Sequence, residues 1–150
     1  MNQVPTNIAL FNVITLRILD RLYDAFPKPI DVTPGTIGIE ITEKEDGDGA
    51  WNAMEVADHT LRWLRTEGFL TYANKTHDGK FTNVQLSLKG LTVLGSVPAS
   101  IKPEEPVEPL HKRVKRVLES SAEGAIADAA KAIIQQIFGA ILSGAGAQAL

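Results

Sequence analysis

The chain contains no cysteine, and that absence excludes disulfides, thiolate zinc sites and cysteine nucleophiles together. No run of 18 apolar residues is free of polar interruption, so no segment reads as a bilayer-spanning helix. The first ten residues, MNQVPTNIAL, lack a basic leader and a small-residue cleavage site. A cytoplasmic protein without membrane insertion is the expectation. Catalytic patterns are missing as well. His59, His77 and His111 are far apart, and there is no HExxH pair, glycine-flanked serine elbow or phosphate loop. Asp46 and Asp48 resemble the start of a calcium loop, but the later ligand positions do not follow in register. No enzymatic activity, metal or cofactor is expected.

A basic surplus is also lacking. Fifteen Lys and Arg stand against eighteen Asp and Glu, for a net charge of −3. Residues 1–98 hold nine against twelve, and residues 99–150 hold six of each. Affinity for duplex DNA draws on lysine and arginine facing phosphate, so a nucleic-acid role has to rest on local clusters.

What is present is 44% hydrophobic and 22% charged, a balance suited to a compact domain with an accessory segment. Its most legible stretch runs from Trp51 to Leu94. Met54, Ala57, Leu61 and Leu64 recur at helical spacing, widened by Val56, Thr60 and Trp63 into a broad apolar arc. Gly68 then offers the left-handed residue that ends a helix without steric cost. Phe69 to Tyr72 has strand composition, Asn74 to Lys80 reads as a turn with Asp78-Gly79 at its tip, and Val84, Leu86 and Leu88 alternate with Gln85 and Ser87. Helix, glycine stop, hairpin and a further short helix make up the second half of a winged helix.

Two segments carry a family resemblance. Thr60-Leu61-Arg62-Trp63-Leu64-Arg65-Thr66-Glu67-Gly68-Phe69-Leu70 and Leu86-Ser87-Leu88-Lys89-Gly90-Leu91 resemble the end of the recognition helix and the close of the wing in bacterial winged-helix regulators of the MarR and PadR kind. The resemblance covers about half the chain, mostly at core and turn positions. It implies an α+β winged helix-turn-helix domain, three helices plus a β-hairpin wing, followed by a mostly helical C-terminal oligomerisation segment. It also implies a DNA-binding transcriptional regulator.

The rest of the chain fits around this. A first helix is expected from about Asn7 to Ala25, stopped by Pro27 and Pro29. Its apolar residues cover more than half the circumference, so it must lie between its own core and a second surface, either a partner chain or the C-terminal helix of this chain. Ile30-Asp31-Val32 reads as a short strand, and Thr33-Pro34 as the start of a second helix to about Glu43. Gly35 and Gly38 weaken that helix by ~1 kcal/mol each relative to alanine, and Ile37 to Ile41 alternates as a strand would. The resemblance decides for helix. An acidic loop, Glu43 to Gly49, precedes the third helix.

We therefore expect a winged-helix domain over 1–98, a Pro- and Glu-rich linker over 99–110, and a basic, then amphipathic, C-terminal helical segment over 111–150. On the third helix the solvent arc offers Trp51, Asn52, His59, Arg62, Arg65 and Thr66 for contact with duplex DNA. Lys75, His77 and Lys80 add a wing cluster, and Lys112, Arg113, Lys115 and Arg116 a clamp after the linker. Glu55 and Asp58 interrupt the arc, and Asp58 stands four residues before Arg62, the spacing of an intrahelical pair. The first helix (Phe11, Ile14, Ile18, Leu22) and the last (Ile126, Ile133, Ile134, Ile137, Phe138, Ile141) present apolar stripes that point to a homo-oligomer, dimer or higher. The other reading of the chain is a winged-helix protein-interaction or assembly module with no DNA role.

Overall fold

The chain folds as an α+β protein, described in a computed structural model over residues 6–42, 47–98, 107–119 and 123–142. The helices are α1 (Thr6–Ala25), α2 (Pro34–Thr42), α3 (Gly47–Thr66), α4 (Leu88–Gly95), α5 (Leu110–Glu119) and α6 (Glu123–Ala140). Four short antiparallel strands, β1 (Ile30–Val32), β2 (Leu70–Thr71), β3 (Asn74–Lys75) and β4 (Phe81–Leu86), make the sheet. Expectations for residues 43–46, most of the linker, Ser120 to Ala122 and the small-residue end from Ser143 lie outside the described residues.

Helix α1 is the spine. Ile14, Leu16, Ile18 and Leu19 are at most 1% exposed, although they point in different directions around the helix. The second surface that this demands is α6 with α5, packed on α1 in the same chain. One continuous core results, from Ile14 and Leu61 through Phe81 to Val114 and Ile137. Such a wide apolar helix is stable only when covered on both sides.

Helix α2 is a helix despite its alternating isoleucines, and the packing supplies the reason. A Cβ added at Gly38 would sit 2.9 Å from both the carbonyl oxygen of Ala50 and the backbone nitrogen of Met54. The glycine that weakens the helix locally lets α2 and α3 cross in close backbone contact. The third helix also starts earlier than the sequence suggests, at Gly47, so part of the supposed acidic loop is its first turn.

Its other end is a complete Schellman arrangement. The Phe69 N–H bonds the Leu64 carbonyl at 2.9 Å and the Gly68 N–H the Arg65 carbonyl at 3.0 Å, with Gly68 at φ +84°. This aims the chain directly into β2. Strand β4 lies centrally, with β1 on one side and both β2 and β3 on the other. Asn83, at φ 54°, forms a bulge: β4 advances from Phe81 to Val84 while β1 advances only from Val32 to Ile30. The turn is shorter than expected, since Asn74 and Lys75 already pair with β4. Leu88 is no part of the strand. It opens α4, capped by Ser87, whose hydroxyl accepts from the Gly90 N–H at 3.1 Å.

Candidate functional site

The N-terminal half of α3, the start of α2 and the hairpin tip enclose a groove of about 490 Å3. From α3 come Trp51, Met54, Glu55, Asp58 and His59, and from the hairpin Lys75, His77 and Asp78. The local chemistry explains the juxtaposition. Gly68 turns the chain back along α3, and Thr76 closes the tip, bonding the Lys80 carbonyl through its N–H at 2.8 Å and receiving the Lys80 N–H on its hydroxyl at 3.1 Å. Trp51 is 62% exposed on the rim, and Asn52, His59 and His77 are also exposed.

The charges here are arranged around Asp58. Its carboxylate accepts from Arg62 Nε at 2.9 Å and pairs with Lys75 Nζ at 2.6 Å, tying the hairpin to α3. Burial alone would raise this carboxyl. Hydrogen bonds and charge from Lys75 and Arg62 outweigh that effect and hold it below its ordinary value. Lys80 stands 3.7 Å from Asp31, whose other oxygen accepts the Asn83 N–H at 3.2 Å. Arg65 lies over the Tyr72 ring, 4.5 Å from its centroid. The Thr66 hydroxyl donates to the Arg62 carbonyl at 3.0 Å. Of the residues expected on this face, Trp51, His59, Lys75 and His77 line the groove and Arg62 joins it through Asp58, whereas Asn52 borders a different cleft and Arg65, Thr66 and Lys80 lie beyond the groove lining.

The basic cluster after the linker is not a single exposed row. Arg113 is only 6% exposed and reaches Gln136 of α6 at 3.4 Å. The clamp expected from the sequence requires it to face outward, with Lys112, Lys115 and Arg116. Yet Leu110, Arg113, Val114 and Val117 share one side of α5 by helical spacing, and that side is the one packed inward. Lys115 bridges Asp24 at 2.7 Å and Asp20 at 2.9 Å on α1, contacts that raise its pKa further. Arg116 pairs with Glu108. Lys112 is exposed. Beside it His111 stacks on Tyr23 with centroids 4.2 Å apart, and burial, with the charge of Lys112, holds its imidazole below the ordinary value.

The stripes assigned to oligomerisation meet each other within one chain. Ile14, Ile18, Leu22, Ile133, Ile134 and Ile137 are buried, and Ile126 and Ile141 are half-buried. Phe11 and Phe138 differ, because with Trp63 they form an aromatic cluster: Phe11 to Trp63 is 5.3 Å between centroids at 84°, and Trp63 to Phe138 is 5.7 Å at 57°. These rings floor a second cleft, about 560 Å3 in volume, between α1, α3 and α6. Sequence reasoning missed it. The available signal was Trp63, a large ring at the very edge of the apolar arc of α3.

Among the described residues no group of three or more His, Asp or Glu is placed to hold a metal ion, and no helix is long and apolar enough to cross a membrane. The chain matches no model of a protein family, no curated protein and no solved structure.

Proposed function

We propose that this chain is a winged-helix module whose α3–hairpin groove recognises another protein. The order helix, strand, helix, helix and hairpin supports the winged-helix reading, as does the central place of β4 between β1 and the hairpin's first arm. The observation that carries the choice of partner is charge balance on this face. Arg62, Arg65, Lys75 and Lys80 are matched by Asp31, Glu55, Asp58 and Asp78, and three of the four cations pair with Asp58 or Asp31. Phosphate binding needs a net positive surface, which this face lacks. A rim tryptophan beside Met54, ringed by polar groups, has the make-up of a protein hot spot.

The test places a photo-crosslinking residue at Trp51 or His59, and at Leu88 as an exposed control away from the groove. A discrete, nuclease-resistant protein adduct from the groove positions alone is expected. Equal labelling at Leu88, or adducts lost to nuclease, would remove the reading.

The second reading is duplex DNA. In its favour, α3 presents Asn52, His59, Arg62, Arg65 and Thr66 to solvent beside a hairpin that carries Lys75 and His77. Titration of random duplex across a salt series separates the two, because phosphate contact makes affinity fall steeply with salt. Under the protein reading no binding is seen even at low salt. The expectation of an oligomer is tested on the same sample: with its stripes buried internally, the chain should scatter as a monomer near 16.2 kDa.

A further inference from the structure

The aromatic cleft adjoins the α3–hairpin groove at Glu55 and His59 but is built on a different set of side chains. Phe11, Trp63 and Phe138 form its floor, Ile8 and Val56 line it, and Asn52, Glu55 and His59 are its polar neighbours on α3. The rings meet edge-on or tilted, not stacked, so they wall a cleft without closing it. Ile8 remains 43% and Trp63 40% exposed. Apolar area left in water is unfavourable, so an apolar body seated here is favoured.

Charge decides the rest of the ligand. Among the described residues Glu55 is the one acidic side chain lining the cleft, and no lysine or arginine lines it. It makes no ion pair with any described residue. Aromatic faces are negative at the centre and attract cations. An anion would meet both a carboxylate and those faces unfavourably, and a neutral apolar molecule would leave Glu55 unused. We infer that this cleft binds a small hydrophobic cation, with its apolar body on Phe11, Trp63 and Phe138 and its positive centre held between the ring faces and Glu55. Glu55 borders the α3–hairpin groove as well, so the test reads Trp63, which lines the aromatic cleft and not the groove.

Two ions of matching shape and opposite charge provide the test. The chain has two tryptophans, and Trp51→Phe leaves Trp63, on the cleft floor, as the only reporter of indole fluorescence. Titration with tetraphenylphosphonium should change that emission saturably, and tetraphenylborate should bind at least tenfold more weakly. Glu55→Gln, at an exposed position, should leave the circular dichroism unchanged and weaken the cation by roughly three- to tenfold. Equal response to both ions would overturn the inference, as would no saturable response to the cation or indifference to Glu55→Gln. So would a light-scattering mass that doubles together with burial of Trp63, since a second copy would then be the occupant.

Discussion

The α3–hairpin groove and the aromatic cleft share one helix as a wall, yet the first is lined by interleaved charges and the second by three rings. Glu55 and His59 border both. A helix turns 100° per residue, so a short run can serve two surfaces of opposite character: Trp51, Asp58 and Arg62 project toward the hairpin while Val56, Thr60 and Trp63 project toward α1. The charged side is neutralised locally by Asp58. The aromatic side is left partly open, with one carboxylate unpaired among the described residues. The character of each surface therefore follows from the side of α3 that it uses, more than from overall charge.

The largest expected effect removes both surfaces. Gly38→Val places side-chain atoms against the backbone of α3, where a single Cβ would already sit 2.9 Å from Ala50 O and Met54 N. Denaturant unfolding should show a loss of about 3 kcal/mol. A stability within error of the parent would show that the close crossing is not needed.

Phe138→Ala should separate the two surfaces. It takes away the ring between Phe11, Trp63 and Phe69 and, for a half-buried phenylalanine, should cost about 2 kcal/mol. Loss of tetraphenylphosphonium binding with the Lys75–Asp58 contact retained, followed by NMR of the Lys75 side chain, is the expected pattern.

Asp58→Asn acts on the charged groove alone and should cost less than about 1 kcal/mol, because its partners are largely exposed. It frees Arg62 and Lys75, so any weak duplex DNA binding should strengthen. Unchanged DNA affinity at low salt would support the protein reading. The folded-state pKa of Asp58 is depressed, so its stabilising contribution is present above its ordinary pKa of 3.8 and is lost as pH falls through the folded value. Asp58→Asn should flatten that acid limb.

The smallest effect lies outside both surfaces. His111 is also depressed, but as a base. The folded state takes up its proton less readily than the unfolded chain, so stability falls as pH drops below about 6.5. A lower melting temperature at pH 5.5 than at pH 7.5, with the difference reduced in His111→Gln, is expected. Both grooves should be unaffected.

Much of the fold was legible because local rules set it. Gly68 ends α3, Pro27 and Pro29 follow the end of α1, and Ile30 to Val32 is a strand, whereas Ser87 reads as a strand residue and proves to cap α4. Each depends on neighbours a few residues away. Helix α2 was ambiguous, since Gly38 makes sense only against Ala50 and Met54 of another helix. The candidate groove was legible in part. Trp51, Glu55, Asp58 and His59 followed from helical spacing, as did the Asp58–Arg62 pair, but Met54 was assigned to the core arc, and the bond from Lys75 to Asp58 depends on where the hairpin folds back.

The sequence by itself determined the α+β class, the places of α1, β1 and α3, the strand–turn–strand that follows α3, and the amphipathic nature of α6, because periodicity, capping and turn chemistry are short-range properties. Only the tertiary structure decided that α6 covers α1 of its own chain, that Arg113 turns inward, and that Phe11, Trp63 and Phe138 meet as the floor of an open cleft. Those outcomes join residues up to more than one hundred positions apart. Apolar surface carries no record of which partner will cover it until the chain has closed on itself.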